Sequence, residues 1–208
     1  MSPSDEQRRA RLERLRGEVV GVVALAAVIG LIEQVGWDVI QAHEERLVRH
    51  ALERLARIPG LTVYGQPQEY DLGNRLGVLS FNLQGLHHAL VAAILSYEGG
   101  IGVRSGCFCA HPYMLCLLNV DEREAAKVQR EILGRDRSHV PGAVRASVGM
   151  YNDESDIDAL GDCLTMIAAG QQRGQYEMHP ETGTYVPAGQ VPPPFERYFD
   201  LEALLGPG

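Results

Sequence analysis

The sequence predicts an α+β protein in which helices cover one face of a small antiparallel or mixed sheet. A long apolar helix precedes this layer, and an extended tail follows it. Two observations support this fold class. Residues 76–83 and 143–150 alternate apolar with polar side chains, as strands with one buried face do. Elsewhere, apolar residues recur at helical spacing, in segments 37–58, 86–98, 121–133 and 154–167.

Local signals place the ends of these elements. Pro59 and Gly60 end the helix over 37–58, and a short strand follows over 61–64. Gly99 and Gly100 end the helix over 86–98. Residues 112–118 suit a short helix, because proline favours the first helical turn. Two further helices carry N-terminal capping residues, Asp121 for the first and Asn152 or Asp153 for the second.

Composition divides the chain into three regions. Residues 1–18 are an atypical charged extension, rich in arginine interleaved with acids. Residues 19–172 contain all the periodic segments and form the predicted domain. Residues 173–208 are rich in glycine, proline and tyrosine without periodicity, which predicts an extended tail lying on a surface.

The apolar run from Val19 to Ile32 has fourteen residues, whereas a helix needs about 20 to cross a bilayer. No small-residue cleavage site of a signal peptide follows it. We therefore expect a buried helix over 19–35 and no membrane association. Because the helix is apolar almost all round, it needs cover on several sides. Part of that cover is expected from outside the chain, which predicts a homo- or hetero-oligomer.

Charge and cysteine content narrow the class of protein. The net charge of −8 argues against nucleic acid as a partner, since such proteins neutralise phosphates with clustered basic residues. Four cysteines in 208 residues do not resemble a disulfide framework. These features predict a reducing, cytoplasmic setting.

The loop from Gly99 to Tyr113 reads GGIGVRSGCFCAHPY and combines turn-forming residues with reactive side chains. Arg104 and the helix expected at Pro112 would favour the thiolate of Cys109, which makes it a candidate nucleophile. The alternative fate of a cysteine is a buried inert thiol, and we assign Cys116 and Cys163 to it. Cys107, Cys109 and His111 also suggest a metal site, but structural zinc sites favour wider cysteine spacing and need further ligands.

Arg145 lies in the middle of the predicted strand 143–150, flanked by apolar residues. An arginine in that position needs a partner for its guanidinium. One hypothesis is an ion pair with one of the chain's many acids. The other is a clamp for a substrate carboxylate, which suits the planar fork of arginine. The sequence leaves both open.

Two motifs resemble a known family. The segments GVRSGCFCAHP at 102–112 and VRASVGMYN at 144–152 resemble the C-terminal part of class V aminotransferase-fold enzymes, within the cysteine desulfurase and selenocysteine lyase group. The similarity runs from about residue 19 to residue 169. Cys109 falls on the family's loop cysteine, Arg145 on its strand arginine, and Asn152 on the asparagine that follows.

This resemblance implies the small C-terminal domain of a fold type I enzyme that uses pyridoxal phosphate and forms a homodimer. It implies that Cys109 attacks the sulfur or selenium of an amino-acid substrate, so that a persulfide forms and alanine is released. Arg145 would grip the substrate carboxylate, and Arg104 and Asn152 would assist in substrate binding. No cofactor-binding residue is assigned in this chain.

Pyridoxal phosphate needs a lysine for covalent attachment. Lys127 is the chain's one lysine, and it lies on a predicted charged helix. We therefore expect the attachment site to be absent here and a large domain or second subunit to supply it. The first hypothesis is a truncated or split enzyme, inactive alone. The alternative is a remnant without pyridoxal chemistry that acts as a thiol or persulfide carrier or an interaction module.

Overall fold

The computed structural model describes residues 5–65 and 75–190, with side chains described from residue 19 onward. The helices in this part of the chain are α1 (Asp5–Val35), α2 (Trp37–Leu55), α3 (His88–Gly99), α4 (His111–Leu117), α5 (Glu122–Leu133) and α6 (Glu154–Ala168). The strands are β1 (Leu61–Val63), β2 (Val78–Leu83), β3 (Arg104–Gly106), β4 (Ala143–Ser147), β5 (Tyr176–His179) and β6 (Thr184–Pro187).

The predicted α+β class with a small antiparallel or mixed sheet is confirmed, and the sheet is antiparallel. Four strands pair in the order β1-β2-β4-β3, and every pairing is antiparallel. The alternation of β2 and β4 turns Leu79, Phe81 and Val144 into the main core, where each is fully buried. Helices α2, α3 and α6 pack their apolar faces over these side chains.

The other face of the sheet is also partly covered, although helices were expected on one face only. A smaller cluster forms there around Cys107, Met114 and Ala143, with Phe108 packed against it. Ala143 belongs to this face because it alternates with Val144 along β4. Helix α4 and the loop before it therefore sit on the side of the sheet away from the main core.

Strand β3 lies where a loop was expected. It has only three residues, Arg104–Gly106, and none of them is strongly apolar, so no alternation marks it in the sequence. Its pairing with β4 holds it in the sheet.

Helix α1 does not confirm the expectation of a buried helix, part of whose cover was expected from outside this chain. It begins at Asp5, so residues 5–18 continue the same helix, while residues 1–4 lie outside the described part. From residue 19 onward its apolar side chains are exposed, for example Val20 at 68% and Val23 at 63%. Within the described residues its main contact is with α2.

No helix in the described ranges is by itself long and apolar enough to cross a membrane. The segments Val19–Val35 and Trp37–Leu55 pass that test only when taken together, and they meet at an angle of 81°.

The expectation of an extended tail after residue 172 is wrong for residues 176–187. These residues form the hairpin of β5 and β6, which packs on α3. The carboxylate of Glu98 accepts hydrogen bonds from the backbone N–H groups of Arg173 and Gly174 and from the hydroxyl of Tyr176. A contact between distant segments thus holds the hairpin, which explains why no local pattern predicted it. Residues 191–208 of the predicted tail lie outside the described residues.

The hydrogen bonds of this contact shift the pKa values of Glu98 and Tyr176. Desolvation alone would raise the pKa of Glu98, but the three donors together lower it below its usual value of 4.5. Desolvation, with the hydrogen bond to the Glu98 carboxylate, raises the pKa of Tyr176 to about 12. Glu98 therefore accepts as a carboxylate, and Tyr176 donates as a neutral phenol, at neutral pH.

A closely packed crossing joins the loop before β4 to the end of β3. A Cβ atom at Gly142 would lie 2.6 Å from the Cα atom of Gly106 and 2.7 Å from Nε2 of His88. Backbone atoms cannot yield as a flexible side chain can, so only glycine fits there.

We predict that Gly142→Ala lowers the free energy of unfolding by about 1–3 kcal/mol, the usual cost of overpacking. Chemical denaturation measures this value. Gly102→Ala is the matched control, because a Cβ there meets no atom within 4 Å and φ lies outside the left-handed region. The control should be neutral or slightly more stable than the wild type. Equal stability of the two variants would contradict the close packing at Gly142.

Candidate active site

Arg145 occupies the middle of β4 on the face away from the main core. Its direct cross-strand partners are Ser80 on β2 and Arg104 on β3. Residues directly opposite in antiparallel strands project from the same face of a sheet. The register therefore brings the two arginines predicted for substrate binding side by side, with Arg145 half-buried and Arg104 exposed.

Arg145 forms no ion pair with any residue in the described ranges, so the ion-pair hypothesis finds no support there. Its Nε atom is buried and has no hydrogen-bond partner among the same residues. The guanidinium carbon lies 4.9 Å from the centroid of the Phe108 ring, a cation–π distance. A half-buried guanidinium in this state retains hydrogen-bonding capacity for an anion.

A cleft of about 420 Å³ opens beside Arg145. Its polar groups include Ser80, Tyr64 and Arg75, and the guanidinium of Arg75 donates to the backbone carbonyls of Tyr64 and Gly65. The remaining lining is largely apolar and comes from β2 and the residues before it, from the turn before α4 and from α4 itself, through Leu76, Val78, Phe108, Ala110, Tyr113, Met114 and Leu117. The cleft is therefore a small space whose lining combines the guanidiniums of Arg75 and Arg145 with apolar side chains.

Cys109 is exposed on the turn at the edge of this cleft. Its chain neighbours Phe108 and Ala110 both line the cleft. Phe108 and Cys109 have φ values of 53° and 61°, so two consecutive residues other than glycine adopt the left-handed region. Such a conformation costs free energy and persists only where surrounding contacts impose it. The turn presents the Cys109 thiol to solvent, as a nucleophile requires, and its activation by Arg104 or by α4 stays a prediction.

The residue before the turn, Cys107, and the neighbouring residues 140–142 are held by hydrogen bonds. The Cys107 thiol is buried and donates to the carbonyl oxygen of Pro141 at 3.0 Å. His88 Nε2 donates to the carbonyl of Val140 at 3.0 Å, and Asn82 Nδ2 donates to that of Gly142 at 2.9 Å. The three successive carbonyls before β4 are thus bonded by residues of β2, of α3 and of the segment that follows β3. Cys109, at the tip of the turn, stays exposed.

The pKa values of His87 and His88, which lie beside residues 140–142, are lowered. Burial, reinforced by His88 and His139, lowers the pKa of His87 to about 4. Burial also lowers the pKa of His88, against the opposing effect of its hydrogen bond to Val140. Both rings are neutral at neutral pH and serve packing and capping.

The suggested metal site is not assembled. Cys107 is buried and engaged with Pro141, whereas Cys109 and His111 are exposed. Within residues 5–65 and 75–190 no group of three metal-ligating side chains comes together.

The other cysteines differ from expectation in one case. Cys116 was assigned as a buried thiol but is exposed, because α4 is a short surface helix with only Met114 buried. Cys163 is partly buried on α6, where burial and then the charge of Glu98 raise its pKa. Of the four cysteines only Cys107, which was not assigned a structural role, is buried.

Asn152 lies in a second cleft, away from Arg145. Its side chain accepts from the backbone N–H of Gly149 and donates to Asp156, while Asp153 caps α6. This second cleft, of about 470 Å³, is lined by Asn152 and Tyr151 together with the glycines that follow α3. The structure thus brings Arg145, Arg104 and the turn of Cys109 together and places Asn152 elsewhere.

Phe108 and Arg75 line the cleft of Arg145 and were not predicted as site residues from the sequence. Phe108 stood in the loop motif as an unassigned position, and its contact with Arg145 is visible only in three dimensions. Arg75 lies three residues before β2 and directly before the predicted strand 76–83, and an arginine at the start of an apolar strand was a usable signal.

Comparison with known proteins agrees with the motifs. A model of the Aminotransferase class-V family matches residues 10–160. A probable cysteine desulfurase of Halalkalibacterium halodurans is 36% identical over 146 residues, which are 70% of this chain and 29% of that protein. A cysteine desulfurase of Salmonella typhimurium is 36% identical over 147 residues, which are 71% of this chain and 29% of that protein.

Two solved structures share the fold. The apo cysteine desulfurase of Thermococcus onnurineus NA1 matches with a TM-score of 0.57 and 33% identity, over 72% of this chain and 31% of that one. The cysteine desulfurase CsdA of Escherichia coli matches with a TM-score of 0.53 and 26% identity, over 74% and 31%. The chain therefore spans less than a third of the length of each of these relatives.

We predict that iodoacetamide modifies the exposed Cys109 faster than the partly buried Cys163, and that it leaves Cys107 unmodified in the folded protein. Mass spectrometry of peptides after timed labelling measures each rate. Cys116 is the internal control, because it is exposed but lies away from the strained turn. If Cys109 reacts no faster than Cys163, the turn does not present a nucleophile. Labelling under denaturing conditions should equalise all four rates.

Proposed function

Because the chain belongs to the class V aminotransferase family, we propose that it forms the sulfur-accepting half of a cysteine desulfurase-type active site. In this proposal Cys109 is the thiol that receives sulfur, and Arg145 holds the carboxylate of the amino-acid substrate. The substrate class is an amino acid that carries sulfur or selenium on its β-carbon. The observation that carries the proposal is the half-buried guanidinium of Arg145, which has no carboxylate partner among the described residues.

The electrostatics of the cleft support this role for Arg145. A guanidinium binds a carboxylate through two parallel N–H···O bonds, and such bonds are stronger where water is partly excluded. Burial of Nε and the stacked ring of Phe108 reduce access of water to the group. Arg104 adds a second positive charge directly across the strand pair. Asn152, which lies in the second cleft, is proposed to contribute to substrate binding from a greater distance.

Sulfur transfer to Cys109 can be written with its electrons in balance. The thiolate attacks the substrate sulfur, a sulfur–sulfur bond forms, and the carbon–sulfur bond breaks. The electron pair of the broken bond must move onto the rest of the substrate, and a proton completes the alanine product. That electron pair needs a sink, which the side chains of this cleft do not provide.

The relatives' family depends on pyridoxal phosphate in general, but the one lysine of this chain does not fit the cofactor. Lys127 lies on α5 with its side chain 65% exposed, and its Nζ atom is 3.6 Å from a carboxylate oxygen of Glu131. It does not line the cleft of Arg145.

The proposal places the cofactor half outside these 208 residues, on a further domain or a second subunit. The exposed apolar side chains of α1, among them Val20, Val23 and Leu25, support such a partner, because water-exposed apolar surface of this extent favours association.

The alternative, a thiol or persulfide carrier without pyridoxal chemistry, draws its support from the exposure of Cys109. The two functions differ in one respect. A carrier needs the thiol alone, whereas the half-site also needs carboxylate binding at Arg145.

We expect that pyridoxal phosphate added to the purified chain gives no visible absorbance band of a lysine-bound cofactor, because Lys127 is exposed and ion-paired. Absorbance spectroscopy and mass spectrometry after borohydride reduction measure this outcome. A reduced adduct on Lys127 would contradict the assignment of the cofactor half to another polypeptide. Free lysine at the same concentration serves as the chemical control.

The test of the proposal compares two thiol reagents of similar size, the anion iodoacetate and the neutral iodoacetamide. If Arg145 binds carboxylates beside Cys109, the wild type should show a higher ratio of iodoacetate to iodoacetamide rates at Cys109 than at Cys116. Arg145→Gln should lower the Cys109 ratio by about tenfold, which corresponds to one charge-assisted hydrogen bond.

Arg46→Gln is the matched control, because it removes one positive charge from an exposed ion pair on α2. Its Cys109 ratio should equal that of the wild type. Equal ratios at Cys109 and Cys116 in the wild type would contradict carboxylate binding and favour the carrier.

A further inference from the structure

We propose that Phe108 is a positioning residue for Arg145 and couples the orientation of the guanidinium to the placement of Cys109. The inference rests on the proposed function, in which Arg145 binds the substrate carboxylate. Phe108 would determine which edge of the guanidinium that carboxylate can reach. It acts through Arg145 and needs no contact with the reacting atoms.

The contact between Phe108 and Arg145 joins two elements that are far apart in sequence. The guanidinium carbon lies 4.9 Å from the ring centroid, and both side chains are half-buried in the same cleft. An aromatic ring covers one flat face of a guanidinium while leaving its in-plane N–H groups free. A carboxylate that binds two N–H groups approaches in that plane. In the proposal the ring blocks approach to the guanidinium from its own side, at 4.9 Å, and leaves the other directions open to a carboxylate.

The ring itself is held in place from behind. Phe108 packs against the smaller core cluster of Cys107, Met114 and Ala143, on the same face of the sheet as Arg145. The Cys107 thiol in turn is tied to the carbonyl of Pro141. The position of the ring is thus set by β4, by the end of β3 and by α4 together.

The backbone shows that the same turn sets both the ring and the thiol. Phe108 and Cys109 are consecutive and both adopt positive φ, at 53° and 61°. Two consecutive residues in the left-handed region are strained, so contacts made by the turn must stabilise its conformation. The stacking of the ring on Arg145 is such a contact. A change that frees the ring would also free the turn and move Cys109 relative to the guanidinium.

A purely structural role for Phe108 is the competing explanation, and it predicts that any apolar side chain of similar size would serve. The test separates the two with Phe108→Leu, which keeps apolar bulk but removes the π-face, and Phe108→Tyr, which keeps the ring. We expect Phe108→Leu to lower the iodoacetate-to-iodoacetamide ratio at Cys109 severalfold, towards that of Arg145→Gln. Phe108→Tyr should retain the ratio of the wild type.

Nuclear magnetic resonance gives a readout that is independent of thiol chemistry. In the wild type, the Nε–Hε resonance of Arg145 should be shifted upfield by the ring current of Phe108, and Arg145→Lys would assign it by its disappearance. Phe108→Leu should move the resonance downfield, and Phe108→Tyr should leave it near its original position. An unchanged resonance in Phe108→Leu would overturn the inference.

The remaining outcomes are distinguishable. If the wild type prefers iodoacetate and Phe108→Leu keeps that preference, the inference fails and the proposed function stands. If the wild type shows no preference, the proposed function fails, and the resonance alone decides whether Phe108 orients Arg145. Should Phe108→Leu make Cys107 reactive, the variant has lost its local fold. Titration of the wild type with acetate, followed by nuclear magnetic resonance, then decides. If Phe108 and Arg145 are coupled, the resonances of both residues must shift at the same acetate midpoint. A shift of the Arg145 resonance without a shift of the Phe108 resonances overturns the inference.

Discussion

Strand β4 pairs with β2 on one side and with β3 on the other, and this double register places Ser80, Arg104 and Arg145 together on one face of the sheet. Because side chains alternate along a strand, Val144 faces the main core while Arg145 faces the cleft. A slip of one residue would put the guanidinium into the core and would move Val144 and Ala146 to the face of the cleft. The close crossing of Gly142 and Gly106 lies at the end of this register and leaves no room for a side chain at Gly142.

The site combines a rigid base with an exposed tip. His88, Asn82 and Cys107 hold the three carbonyls that precede β4. From this base the chain rises into a strained turn whose outer residue, Cys109, is open to solvent. The arrangement suits a thiol that must remain near a fixed guanidinium while it meets a substrate and later an acceptor of its sulfur.

The sequence predicted the parts of the fold that depend on local patterning. The alternation at Leu79 and Phe81 identified β2 and, with β4, the face on which Arg145 lies. Patterning could not identify β3, which is short and polar, or the hairpin of β5 and β6, which depends on the distant carboxylate of Glu98. The same division holds for the site. The motifs pointed to Cys109 and Arg145. The absence of an ion pair at Arg145 among the described residues, and the contact of Phe108 with its guanidinium, depend on tertiary structure and could not be predicted from the motifs. Cys116 was misassigned because a short helix gives too few positions to tell a buried stripe from an exposed one.

The hairpin and α6 also bear on where this folding unit ends. The family match stops at residue 160, inside the helix Glu154–Ala168, and the buried residues Leu164 and Ile167 lie beyond it. A polypeptide cut at the family boundary would lose half of a core helix and the strands that cover α3. Its Glu98 carboxylate would be left without the two backbone donors and the phenol that now hold it. Recombinant versions of this unit should therefore extend at least to Pro187, where β6 ends, to remain cooperative and resistant to proteolysis.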